Sequence, residues 1–343
     1  MTWWGSPFFL GLAQTGTTPI SRADSARLSA EVQKAWREKD YSYALRSMTL
    51  LREAYPDNEN LLYNQGLLWM ESGQWNEAYA SFKNLYSRNP YFPGLGIQLA
   101  FTAIRLGQPE EARSFLREAP APGSPETPEY YRALGHLALL EKDTEKALAA
   151  FKKSLTAWPE NPSVYLDLAR IYMILNDTLE FQRALEGATL FGGSTTARDL
   201  LEALMRGKLN QGEKALPILD KKVPPSFPMA SSWFGYKAWL LCSLGRWQEA
   251  LSVVHELLKL PHGPTPQTLA FSGAVKTMLG DLEGALRDLA SAIEMQPDLG
   301  IAWLNKGVVY ARMNSITEAC ACWKKAARLN VPLADTYIQF QCF

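Results

Sequence analysis

The chain of 343 residues is long enough for two or three ordinary domains, and with 47% hydrophobic and 20% charged residues it can bury a sizeable core, which argues against disorder over most of its length. Lys plus Arg and Asp plus Glu number 35 each, so no net field draws the chain onto a nucleic-acid backbone or an anionic bilayer, and no nucleic-acid partner is expected. Four cysteines, Cys242, Cys320, Cys322 and Cys342, are too few for a disulfide scaffold at this size; the close pair Cys320 and Cys322 lacks the two-residue gap of zinc and thioredoxin-like sites.

Residues 1–24 form an apolar N-terminal segment. Trp3, Trp4, Phe8, Phe9, Leu10 and Leu12 make a run that ends on Gly11, Leu12 and Ala13, a small-residue ending like that of a signal-peptidase site. No Lys or Arg precedes it, as a secretory signal normally requires, unless the gene starts further upstream. Two readings stay open: a cleaved export signal with a mature chain from Gln14, or a segment that tucks its aromatics against the first helices. No stretch reaches the roughly 18 to 20 uninterrupted apolar residues that span a bilayer. The expected location is the cytoplasm, or the periplasm or envelope if residues 1–13 are an export signal, with any membrane contact made through this segment.

From 25 to 333 the sequence repeats. Ala44, Ala78, Ala112, Ala147, Ala215, Ala250, Ala285 and Ala319 share one register, with Phe181 in the gap, at steps of 34 or 35 residues. Twelve residues before these anchors stand Val32, Gly66, Ala100, Gly135, Ala169, Ala203, Ala238, Gly273 and Gly307, mostly small, which marks close contact of two helices. Five before stand Lys39, Gly73, Gly107, Lys142, Asn176, Asn210, Gly245, Gly280 and Asn314, a set dominated by residues that tolerate the left-handed turn between helices. Twelve after, Pro56, Pro90, Pro159 and Pro297 end the second helix. Each unit is therefore predicted as helix, tight turn, helix and link, with starts near 25, 59, 93, 128, 162, 196, 231, 266 and 300. In the second unit Leu62, Gly66 and Trp69 share one helix face, and Ala78, Phe82 and Leu85 another. One pair cannot bury such faces, but stacked neighbours can. Stretches 119–127 and 222–228, rich in Pro, shorten the second helices of units three and six; they are read as irregular loops within one array, the alternative being hinges between sub-arrays. Residues 334–343 are expected to cap the apolar end of unit nine.

Leu61 to Pro90 keeps Gly66, Ala78, Phe82 and Pro90, and Ala302 to Ala326 keeps Trp303, Gly307, Tyr310, Ala319 and Ala326. With these residues the chain resembles the tetratricopeptide repeat family, whose pattern is W-x2-L-G-x2-Y, A-x3-F and a late Pro. Phe181 with Gly192 and Gly193 in unit five, and Val223, Pro224 and Pro225 after unit six, depart from that pattern. The resemblance implies an all-α, right-handed superhelical solenoid of about nine helix-turn-helix repeats, with no room for a separate catalytic domain. It also implies a non-catalytic scaffold or adaptor that holds a partner protein or peptide in a concave groove lined by the first helices.

Counted from the anchors, the groove-facing candidates are Tyr63, Asn64, Gln98, Phe101, Arg105, Arg132, His136, Asp167, Arg170, Tyr236, Trp239, Phe271, Asn305 and Arg312. Rings supply apolar area, while Arg and amide groups fix carboxylates or backbone. Arg105, Arg132, His136 and Arg170 fall together in units three to five, which suits an acidic or C-terminal carboxylate ligand. The family's carboxylate clamp wants Lys and Asn on one first helix, Asn on the next, and Lys and Arg on the third; here stand only Asn64, Gln98 and Arg132, so a chaperone-tail binder is not inferred. The competing reading of each residue is structural, because inner aromatics often pack between units and single arginines often lie solvated.

No catalytic constellation emerges. His136, His255 and His262 stand outside any HExxH, and GxxxxGK[ST], GxGxxG and GxSxG are absent. Cys242, amid Trp239, Leu240 and Leu241, is read as a structural thiol, and Cys320 and Cys322 as packing residues. No cofactor, metal or small-molecule substrate is expected. The second functional reading is a structural subunit or assembly factor of an envelope-associated complex, with the Trp/Phe-rich start as export signal or membrane contact.

Overall fold

A computed structural model describes residues 21–118, 127–224, 229–260 and 263–342. The expectations for residues 1–20, for most of 119–127, for 225–228 and for His262 lie outside the described residues. Within them the fold is all-α, with nineteen helices in repeating pairs. Contacts divide the chain into two units between Arg198 and Asp199.

The first unit holds α1 (Arg22–Arg37) with α2 (Tyr41–Ala54), α3 (Glu59–Glu71) with α4 (Trp75–Arg88), and α5 (Leu95–Arg105) with α6 (Pro109–Glu118). It continues with α7 (Pro128–Leu140) and α8 (Thr144–Ala157), then α9 (Pro162–Leu175) and α10 (Thr178–Leu190). The division falls inside α11 (Thr195–Lys208), which α12 (Gly212–Leu219) follows. The second unit then pairs α13 (Ala230–Ser243) with α14 (Trp247–Leu258), α15 (Pro266–Leu279) with α16 (Leu282–Met295), and α17 (Gly300–Arg312) with α18 (Ile316–Arg328). A last helix, α19 (Pro332–Gln341), lies on α18. Among the described residues no helix is long and apolar enough to cross a membrane.

Every turn within a pair uses a left-handed residue. Lys39, Gly73, Gly107, Lys142, Asn176, Asn210, Gly245, Gly280 and Asn314 all have positive φ, the nine positions five before the anchors. Four of these residues precede an aspartate that caps the second helix: Asp40, Asp143, Asp177 and Asp281 accept from the backbone N–H groups of Tyr43, Lys146, Glu180 and Gly284. The left-handed residue reverses the chain, and the carboxylate then satisfies an orphan donor at the new helix start. Asn58, Thr127, Asn161 and Thr265 do the same for first helices. Pro56, Pro90, Pro159 and Pro297 each stand two residues past a helix end. The second helices of units three and six are short, at 10 and 8 residues, and α12 carries Pro217 within it, leaving the Glu213 carbonyl without its helical donor.

Packing follows a size rule between the two helices of a pair. The eight alanine anchors are fully buried, and Phe181 nearly so. Four residues after the anchors, Met48, Phe82, Leu116, Phe151, Leu185, Leu219, Val254, Leu289 and Trp323 are also buried. Phe82, Phe151, Leu289 and Trp323 sit against Gly66, Gly135, Gly273 and Gly307, where an added Cβ would lie no more than 2.6 Å from the facing side chain. Opposite Leu116, Leu185, Leu219 and Val254 the same place is Ala100, Ala169, Ala203 and Ala238. A Gly273→Leu variant should therefore lose about 1–3 kcal/mol by overpacking. Its Cβ would meet Leu289 Cγ at 2.6 Å and the Ala285 carbonyl oxygen at 3.2 Å, and a backbone atom cannot step aside. An unchanged denaturant midpoint would mean that α15 and α16 part without cost.

Within each unit consecutive pairs stack through the second helix of one and the first helix of the next, and at α5/α7 and α15/α17 first helices also pack directly on one another. This brings first-helix side chains of neighbouring pairs within reach across a common face.

At the C-terminal end the sequence reading needs correction. Cys320 is not merely a packing residue: it is disulfide-bonded to Cys342, with Cα atoms 5.7 Å apart. The pairing is 22 residues apart in sequence, and only the reversal of α19 onto α18 brings the two together. Cys322 is free and buried, and Cys242 is free and half-buried.

Candidate functional site

The candidate site forms in the first unit around Asp167. This carboxylate lies in the middle of α9, with its side chain only 4% exposed. Arg132 on α7 donates from Nε to Oδ2 at 2.7 Å, and His136, one turn on, places Nε2 3.2 Å from the same oxygen. Arg170, one turn after Asp167, holds Nη1 3.7 Å from Oδ1. Burial alone would raise the Asp167 pKa, but Arg132, His136 and Arg170 outweigh it and keep the carboxyl well below the usual carboxylate range.

Rings on neighbouring helices complete the site. The Phe101 ring on α5 meets His136 edge-on at 5.7 Å and lies 6.0 Å from the Arg132 guanidinium, while His136 also packs on Phe151 at 5.2 Å. One turn after Phe101, the exposed Arg105 holds its guanidinium 4.7 Å above the ring of Trp75 at the start of α4. Arg105 makes no ion pair among the described residues, and partial desolvation of its guanidinium together with the charge of Arg170 lowers its pKa. Two guanidiniums and an imidazole thus gather about one carboxylate, with Asp167 orienting Arg132, while an indole orients Arg105 within the field of Arg170. Trp75 belongs to a second helix, so counting along first helices did not find it.

The other nominated residues divide by what they touch. Tyr63 packs its ring between Phe82 and Phe92, at 5.6 and 4.9 Å; burial pushes its phenol up to about 12, against the opposing effect of Gln98. Tyr63 therefore packs within the core that α3, α4 and α5 share. Arg312 donates from Nη1 to the Thr277 carbonyl at 2.6 Å and ties α17 to the end of α15. In the second unit Tyr236 reaches the Ala203 carbonyl and stacks on Trp239 with ring centres 5.6 Å apart. Trp239 itself is 53% exposed, whereas Phe271 is half-buried against the core of that unit. Asn64 and Asn305 are half-buried on α3 and α17.

The tetratricopeptide repeat pattern matches residues 69–137, 138–205 and 279–330, more than half of the chain. The chain belongs to the tetratricopeptide repeat family. No curated protein sequence matches it. Among solved structures it is similar to a chain of the APC/C hetero-tetramer Cut9-Hcn1, at 14% identity and a TM-score of 0.64, over 88% of this chain and 59% of that one. It is also similar to yeast Tom70, at 13% identity and a TM-score of 0.55, over 93% of this chain and 88% of that one. At such identities the likeness shows the fold, a superhelical solenoid of tetratricopeptide repeats. The chain spans little more than half the length of the Cut9-Hcn1 relative. Tetratricopeptide repeat proteins are generally non-catalytic scaffolds that bind protein or peptide partners. Against the family pattern, Phe181 stands where alanine is usual, and the structure buries its ring at the anchor position.

Proposed function

We propose that this tetratricopeptide repeat protein is a non-catalytic adaptor whose first unit holds an acidic segment of a partner protein. The observation that carries this reading is Arg105, exposed on the Trp75 ring without an ion pair among the described residues and in the field of Arg170, while Arg132, over Phe101 one turn before it, is already fixed by Asp167. A guanidinium stacked on an indole has given up much of its rotamer freedom before any ligand arrives, and its edge still offers paired N–H donors. A carboxylate that approaches it gains charge-assisted hydrogen bonds in a field made positive by Arg132 and Arg170. The exposed Trp239 of the second unit supplies a separate aromatic contact of the kind that dominates interface energies.

Arg105→Ala tests the reading with little risk to the fold, because the side chain is exposed. It should lower partner affinity at least about tenfold, the loss expected for one charge-assisted hydrogen bond, and leave the unfolding midpoint in place. The comparison is made by pull-down from native extract, with binding constants then measured on the recovered partner. A partner held equally by both proteins would move the interface away from α5, α7 and α9.

A further inference from the structure

We propose that Cys320 and Cys342 are an oxidative cross-linking site that latches α19 onto the last helix pair, and that the chain works in an oxidising compartment. The helix α19 is poorly equipped to hold itself. It has ten residues, shorter than the length at which isolated helices persist in water, and its N-cap, Val331, makes no side-chain cap bond. Only Ala334 is fully buried, while Leu333 and Phe340 are 52% and 66% exposed. Its main ring contact is Tyr337, stacked on Trp323 at 4.8 Å. The chain link from α18 fixes its start, and the disulfide fixes its end: Cys342 follows directly after Gln341, opposite Cys320 near the start of α18.

The geometry selects this pair over the alternatives. The Cα separation of 5.7 Å lies in the usual range for disulfides, and both residues are half-buried, so an oxidant can reach them. Cys322 points into the core beside Trp323, and burial pushes its thiol and that of Cys242 up, away from the reactive thiolate. In the step itself one thiolate attacks the disulfide of an oxidant, either a thiol oxidase or a small disulfide such as glutathione disulfide, and displaces one thiol. The second cysteine thiolate then attacks the mixed disulfide and displaces the other. Two protons and two electrons leave the protein, and the oxidant departs as two thiols. Such bonds persist in periplasmic, lumenal or extracellular surroundings and are reduced in an ordinary cytosol. This compartment agrees with the export reading of residues 1–13.

The test uses the full-length protein taken from its own cells, quenched in acid and alkylated in denaturant. Two of the four cysteines, Cys242 and Cys322, should carry the alkyl group before reduction and all four after it, with a linked peptide pair containing Cys320 and Cys342. Four adducts before reduction would overturn both the cross-link and the compartment. The latch is read separately by hydrogen exchange on the purified protein. Reduction, or Cys342→Ser, should speed exchange across Pro332–Gln341 at least about tenfold while α15 and α16 keep their protection. Unchanged protection of α19 would overturn the latch.

Discussion

Asp167→Ala should destabilise the first unit by about 2–4 kcal/mol, because it leaves Arg132, His136 and Arg170 facing one another without the carboxylate that joins them. Removal of one partner from a buried pair costs about 3–5 kcal/mol; the lower figure applies here because Arg132 and Arg170 are 30% and 38% exposed and water can solvate part of their charge. Asp167→Asn keeps the shape and one acceptor, so a smaller loss, about 1–2 kcal/mol, is expected. The pH dependence has a definite sign. The folded carboxyl titrates below its unfolded value of about 3.9, so its contribution is complete above about pH 5 and fades as pH falls through the folded pKa. Denaturant midpoints of wild type and Asp167→Asn should differ at neutral pH and converge in acid. A gap that persists unchanged at pH 2 would show that Asp167 acts through packing rather than charge. Partner affinity should fall as well, since Arg132 loses the bond that orients it.

The fold was legible because the turn imposes a chemistry that survives substitution. Lys39 and Lys142 are neither Gly nor Asn, yet their place five before an anchor, followed by Asp40 and Asp143, identifies the left-handed residue and the cap together. Period carried the rest, since small residues twelve before the anchors mark where helices approach. The cationic cluster was legible for a similar reason: Phe101 and Arg105, or Arg132 and His136, are four apart and share a helix face. What lay beyond reach were contacts between elements whose register sequence spacing does not fix. Trp75 reaches Arg105 from a second helix, Arg312 finds the Thr277 carbonyl 35 residues back, and Cys342 meets Cys320 only after α19 folds over. Tyr63 lies in the groove register, yet its ring packs between Phe82 and Phe92, a contact that counting along one helix does not show.

The other large effect concerns the slot between the helices of one pair. Phe82→Ala should cost about 3–5 kcal/mol, since the ring is fully buried and fills the space over Gly66. In an open helix Gly→Ala would gain up to about 1 kcal/mol from propensity. At Gly66 the new Cβ would stand 2.7–2.8 Å from Cζ and Cδ1 of Phe82, whose ring is wedged among Leu62, Leu85 and Leu99, so Gly66→Ala alone should lose about 1–3 kcal/mol. With Phe82 already truncated, the same methyl enters vacated space, and Gly66→Ala should become neutral or stabilising. The double-mutant cycle therefore predicts a change of sign, with a coupling of about 2–3 kcal/mol. An equal penalty in both backgrounds would mean that Phe82 does not set the spacing of α3 and α4. The same pairing links stability to binding at Gly135, which faces Phe151 and adjoins His136. A methyl group there would push α7 off α8 and carry Arg132 and His136 away from Asp167, so a packing residue with no ligand contact should weaken partner binding.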